Sequence, residues 1–284
     1  MANKFQTRSA RLNGHPITRV LPRAHKRMVG PFIFIDLMGP LDFAAGEGLD
    51  VPPHPHIGLS TLTYLFTGEL LHQDSLGNVV GIRPGEVNWM TAGRGIVHSE
   101  RQTPAHRTVA HRLYGLQCWL AMEREEADAA PGFIHLEASS IPRDENSLRS
   151  IQLIAGAAYE LQSPIASDKA MFFIDIAADQ DVELPHPEPQ HEALLFVLGG
   201  EVMIGGQSFS AGEFALLEKH DRIEARQGTR FLMLGGKAWP EQPNIDWNFV
   251  AFDKARIEQA KTDWRERRFK DIPGDHEEFI PLPE

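Results

Sequence analysis

Two short stretches, His54-Pro55-His56 and His98-Ser99-Glu100, place metal-ligating residue types at a spacing that can do chemistry. On a β-strand, residues two apart point to the same face. Two neighbouring strands carrying these pairs would aim three imidazoles and one carboxylate at a single point. Neutral imidazole suits several divalent first-row metals, and a carboxylate adds charge neutralisation. Such a set leaves neighbouring positions open on an octahedral iron or manganese, where a substrate oxygen and dioxygen, or water, can meet. A closed structural zinc site would more commonly use cysteine, and Cys118 is the only one in the chain. His15, His25, His72, His106, His111, His135, His220 and His276 are expected on the surface or as hydrogen-bonded core residues.

The elements that must position these groups read as strands. Twenty-four glycines and 20 prolines punctuate short apolar runs, the texture of many strands joined by turns. Strands are expected over 32–35, 60–66, 85–90 and 115–122, and again over 170–176, 193–198, 201–204, 213–217 and 229–234. A single convincing helix runs over 253–267, with Asp253 as its N-cap and Ile257, Ala260 and Trp264 as its apolar stripe. The halves echo each other. Phe66-Thr67-Gly68-Glu69 followed by Pro84-Gly85-Glu86-Val87 recurs as Leu198-Gly199-Gly200-Glu201 followed by Ala211-Gly212-Glu213-Phe214. The expectation is an all-β chain with two β-barrels in tandem. Residues 1–137 form the barrel with the metal site, and 138–284 form the second barrel with a short C-terminal helix and tail. The join falls within 137–146. Aligning the turns sets His186-Pro187-Glu188 opposite His54-Pro55-His56. The second ligand pair has no counterpart, because its positions fall near Ala225 and Gln227, so the second barrel is expected to be metal-free.

Bulk properties narrow the function classes. The formal net charge is −11, from 39 acidic and 28 basic residues. This argues against nucleic-acid binding, which needs clustered Lys and Arg, and leaves room for a protein partner. One cysteine excludes an intramolecular disulfide and suits a reducing interior. The first fifteen residues carry no apolar signal-peptide core, and no apolar run approaches the ~20 residues that cross a bilayer. A soluble, cytoplasmic, monomeric or weakly associating protein is expected.

Specific stretches also resemble a known family. Gly48, His54-x-His56 and Gly68 resemble the first cupin motif, and 85–98 resembles the second. His54-Pro55-His56-x-Gly58, Tyr64-Leu65, Pro84-Gly85, the run from Trp89 through Arg94-Gly95 to Glu100, Leu116-Gln117-x-Trp119, Trp247-Asn248-Phe249-Val250 and the 265–284 tail together resemble the pirin family of bicupins. That resemblance implies two cupin barrels (double-stranded β-helix, or jelly-roll, folds). It also implies one iron in the N-terminal barrel, held by His54, His56, His98 and Glu100. Some pirins open the heterocycle of quercetin with dioxygen and release carbon monoxide; animal members act as nuclear transcription cofactors. Ser60 departs from the pattern, standing where the common first-motif acid would be, and Lys237 stands where an acid is usual.

The leading expectation is therefore a metal-dependent dioxygenase acting on flavonol-like phenols. Its cofactor is one divalent ion, Fe(II) first, with Mn, Ni, Cu, Co or Zn permitted by the ligand types. Glu100 is the candidate base for the substrate hydroxyl. Phe32, Phe34, Met90 and Trp119 are candidate lining for a planar substrate, and Gln117 a candidate hydrogen-bond donor. The alternative is a metal-binding regulatory or redox-sensing protein that acts through a protein partner. Cupin isomerase chemistry on a polar substrate would need basic residues, of which Arg94 lies inside the motif and Arg83 and Arg101 flank it; Arg94 is expected instead to bond a loop carbonyl.

Overall fold

Short apolar strands with turns at their glycines build most of the described residues, 3–166 and 168–283, in a computed structural model. Met1, Ala2, Ser167 and Glu284, which include the outer limits of the two expected domains, lie outside the described residues. Two compact units emerge. One comprises residues through Arg8, 19–33 and 139–240; the other comprises 9–18, 34–138 and 241 onward.

The second of these units carries the histidine pairs. Its longer sheet runs in the order Gly132–Leu136, Val87–Thr91, Leu59–Thr67, His111–Ala121, Phe32–Phe43, His15–Leu21, Arg8–Leu12. Its shorter sheet runs Val51–His56, Ile96–Gln102, Leu70–Asp74, Val79–Ile82. The other unit repeats the plan. Its short sheet is Val182–Pro185, Arg222–Ala225, Glu201–Ile204, Gln207–Ser210, and its long sheet centres on Glu213–Leu217, Glu192–Gly199, Arg230–Gly236 and Met171–Ala178. The matching strand orders are those of a duplicated double-stranded β-helix, so the two-barrel cupin architecture holds.

The paired turns explain part of the repeat. Gly68 and Gly200 both sit at positive φ, +91° and +79°. A Cβ on Gly68 would lie 2.5 Å from the Arg112 carbonyl oxygen, and one on Gly200 would lie 2.5 Å from Thr229 Oγ1. Only glycine satisfies both the backbone angle and the space. The unit that lacks the full ligand set has an apolar interior instead. Ile151, Leu153, Phe172, Ile174, Val202, Ile223, Ala225 and Phe231 form one buried cluster there.

The helix is Lys254–Arg265, with the Asp253 carboxylate accepting the Ala255 N–H at 2.8 Å. Ile257, Ala260 and Trp264 are buried, as their spacing predicts. They pack with Ile57, Val97, Phe249 and Ile272. The helix and tail thus belong to the unit with the histidine pairs, whereas the sequence reading attached them to the second barrel. An amphipathic helix goes where an apolar face awaits it, and Ile57 and Val97 supply that face. No helix among the described residues is long and apolar enough to cross a membrane.

Candidate metal centre

The Val51–His56 and Ile96–Gln102 strands pair antiparallel, with His98 directly opposite His54 and Ile96 opposite His56. This register is what brings the two histidine segments together. Between the His54/His98 and Val51/Glu100 pairs, two residues on the first strand, Pro52 and Pro53, face one on the second, Ser99, so the register shifts there. Proline lacks a ladder N–H and is tolerated at such a bulge. The shift frees the Pro52 carbonyl, which accepts from His54 Nδ1 at 2.9 Å.

The three imidazoles form one group, with a potential ligand atom from each within 4.8 Å of the others. The His54 and His98 ring centroids are 4.3 Å apart, and the His56 ring is 5.1 Å from His54 and 5.0 Å from His98. Exposure is 6% for His54 and 1% for His56 and for His98. His56 Nδ1 donates to the Asn248 carbonyl at 3.2 Å. With Nδ1 of His54 and His56 protonated by these carbonyl partners, Nε2 of each presents a lone pair. Burial, with neighbouring imidazoles adding to it, pushes His56 and His98 well below the ordinary imidazole range. Burial pushes His54 down too, against the opposing pull of the Pro52 carbonyl and Glu100. The rings are therefore neutral, the form that ligates metal.

Buried polar atoms nearly always have partners. His56 Nε2 and both ring nitrogens of His98 are buried with none. Convergent, neutral, unpartnered imidazole nitrogens fit a single divalent cation, and their donor type suits several first-row metals without selecting one.

Glu100 lies on the same face of its strand as His98 and is 5% exposed. Its carboxylate stands outside the three-imidazole group. Gln117 Nε2 donates to both oxygens at 2.8 Å, and Thr63 Oγ1 donates to Oε1 at 3.3 Å. Gln117 is directly opposite Thr63, and Trp119 is opposite Thr61, so strand alternation turns all four inward. Trp119 stacks on Phe34 with centroids 4.3 Å apart and meets His56 edge-to-face with centroids 5.1 Å apart. Its indole Nε1 is buried without a partner. Met90 shares the inward face, opposite Thr61, and is fully buried. Phe32 is fully buried one pleat before Phe34 and falls in the other unit. Ser60 alternates with Thr61 and so faces away from the ligands.

Sequence reasoning passed over two neighbours. His72 sits opposite Glu100, and Asp74 opposite His98. His72 Nε2 bonds Asp74 Oδ2 at 3.1 Å. The His72 ring lies 5.4 Å from His98 and stacks on Phe133 at 4.3 Å. The expected hydrogen-bonded core role is met, but the place is the wall of the metal centre. His72-x-Asp74 has the same two-residue spacing as the ligand pairs, a signal that was available. The flanking cations are engaged elsewhere: Arg83 on Glu69, and Arg101 on Asp275 and Glu278. Arg94 is exposed, and its own carbonyl accepts from Arg256 Nη2 at 2.7 Å, the reverse of the bond expected for it. His186 lies just past the end of the Val182–Pro185 strand, with Nδ1 accepting the Glu188 N–H at 3.1 Å.

Comparison with known proteins agrees with this architecture. The family model for pirin matches residues 14–120, and the model for the pirin C-terminal cupin domain matches residues 173–270. A pirin-like protein of Caulobacter vibrioides is 41% identical over 286 aligned residues, covering 99% of this chain and 98% of that protein. The crystal structure of a quercetin 2,3-dioxygenase from Acinetobacter baumannii superposes with a TM-score of 0.91 at 33% identity, covering 100% of this chain and 95% of that one. A bacterial pirin from Escherichia coli, crystallised with nickel(II), shares the fold with a TM-score of 0.65 at 20% identity, covering 84% of this chain and 100% of that one.

Proposed function

The chain belongs to the pirin family, and from that premise we propose that it is a metal-dependent dioxygenase opening flavonols such as quercetin with O2. The observation that carries this reading is the buried group of three neutral imidazoles with unpartnered nitrogens, beside a hydrogen-bonded carboxylate. His54, His56, His98 and Glu100 would hold one ion, Fe(II) first among the candidates. When bound, that ion would supply Lewis acidity toward a flavonol 3-hydroxyl and an electron path to dioxygen.

Glu100 takes the hydroxyl proton on a carboxylate oxygen. In the conformation described, its oxygens accept from Gln117 and Thr63 rather than resting among the imidazoles; with one oxygen holding the ion, the other would serve as the base. The stacked Phe34 and Trp119 rings give a planar aromatic substrate an apolar wall, and the unpartnered Trp119 Nε1–H offers a donor to one substrate oxygen. The depth of the imidazoles favours chemistry on an enclosed small molecule over a site read by a protein partner.

The test is anaerobic reconstitution with Fe(II), then aerobic exposure to quercetin, alongside Glu100→Ala. Bleaching of the flavonol absorbance with carbon monoxide release, lost in the variant, is the expected result. Stoichiometric iron without turnover of quercetin or related phenols would overturn the dioxygenase and favour the metal-binding regulator.

A further inference from the structure

The C-terminal segment reaches the metal-bearing strands at four places. The Asn248 carbonyl accepts from His56 Nδ1 at 3.2 Å. Val250 N donates to the Ile57 carbonyl at 3.1 Å, and Ile280 N donates to the Pro53 carbonyl at 2.9 Å. Asp275 takes hold of the other strand. Its Oδ2 accepts from Ser99 Oγ at 2.6 Å and from Arg101 Nε at 2.7 Å, and its Oδ1 accepts from Arg101 Nη2 at 2.6 Å. Trp264 Nε1 donates to the Ile280 carbonyl at 3.0 Å, tying the helix to the last of these contacts.

The placement of these bonds is specific. Pro53 precedes His54 and Ile57 follows His56. Ser99 lies between His98 and Glu100, and Arg101 follows Glu100. In a strand the side chains of Ser99 and Arg101 project from the face opposite His98 and Glu100. A single carboxylate that fixes both therefore fixes the tilt of the strand from behind, without touching any ligand. Ser99 is fully buried and Asp275 mostly so, so the fork-shaped Arg101–carboxylate pair is shielded and geometrically demanding. Groups that orient ligands from outside the coordination sphere commonly change metal affinity by about 10–100-fold when removed.

We propose that residues 241–283 act as a clasp that sets the geometry of the metal centre, with Asp275 as the positioning residue for His98 and Glu100. The proposal rests on the metal-binding reading of the three-imidazole group. It makes the affinity for metal depend on Asp275, which lies 176 positions beyond Ser99, the residue between the two ligands it steadies.

The test loads the full-length protein with Co(II). It measures stoichiometry, affinity by chelator competition, and the visible d–d absorption band, with far-ultraviolet circular dichroism as the check on folding. Asp275→Ala is expected to bind about 10–100-fold more weakly with a shifted band. Asp275→Asn, which keeps the volume and one acceptor and so retains more of the fold, is expected to fall between it and the wild type. Glu278→Gln, which alters an exposed partner of the same arginine, is expected to match the wild type. A folded Asp275→Ala or Asp275→Asn with wild-type affinity and an unshifted band overturns the clasp while leaving the metal centre standing. A wild-type chain that takes up no cobalt overturns the metal reading, and the clasp falls with it.

Discussion

Three imidazoles buried side by side make the metal-free protein acid-sensitive by an amount that can be worked out. His54, His56 and His98 are all depressed, with burial the first cause in each. In the unfolded chain each takes a proton near pH ~6.5. Below that pH the unfolded state binds protons that the native state refuses, so stability falls as pH falls. Each group contributes about 1.4 kcal/mol over the whole interval from pH ~7.5 to ~5.5, because the slope reaches its full value only below pH ~6.5, so the three together remove about 4 kcal/mol. Because His54 is the least depressed of the three, its protonation in the native state would bring the loss toward about 3 kcal/mol. Such a loss is a large share of a typical folding free energy of about 5–15 kcal/mol. The assay is urea unfolding of chelator-treated protein across this range, followed by tryptophan fluorescence. His186 and His191, also depressed by burial, add to the raw slope, so the decisive quantity is a difference. His56→Gln should lose about 1.4 kcal/mol less than the wild type over the same interval. Equal losses in the two proteins, or a wild type indifferent to pH, would refute the claim that these rings are held neutral by burial.

Other outcomes follow from single contacts. His98→Ala should abolish stoichiometric metal, read by elemental analysis, while circular dichroism stays native; retained metal would remove His98 from the site. Gln117→Leu strips both 2.8 Å donors from the buried Glu100 carboxylate and should cost about 1.5–3 kcal/mol of stability per the usual worth of a bond to a charged group, along with flavonol turnover. Trp264→Ala should cost about 3–5 kcal/mol in thermal or urea unfolding, because the ring is buried among Ile57, Val97 and Phe249. Gly58→Ala places a Cβ 2.0 Å from the Val250 carbonyl oxygen at a φ of +66°; it should displace the C-terminal segment, detected as faster proteolysis after residue 240.

The histidines of the candidate metal centre were legible because their rule is local. His54 and His56, and His98 and Glu100, are two apart on strands, and alternation alone sends each pair to one face. The repeated Gly68 and Gly200 turns were legible for a similar reason, since a positive φ at a crowded turn demands glycine whatever surrounds it. Trp119, Phe34 and Gln117 could be nominated by type, but alternation does not say which face is the interior. The register of Thr61 and Thr63 against Trp119 and Gln117 decides that. His72-x-Asp74 carries the same local signal as the candidate ligands, but the sequence alone places His72 on the surface or in the core, because an isolated histidine more often serves there.

What the sequence determined by itself is the chemistry: which side chains alternate toward one point, where the backbone must turn, and that a helix with one apolar stripe precedes the C-terminal tail. What only the tertiary structure decided is whom these elements meet. The helix stripe of Ile257, Ala260 and Trp264 states a need for an apolar partner without naming Ile57 and Val97. Nothing near Asn248 or Asp275 announces that one will orient His56 and the other will grip Ser99 and Arg101. A local period fixes direction over a few residues, whereas these contacts join segments far apart in the chain, where only the packing of the whole barrel selects the pair.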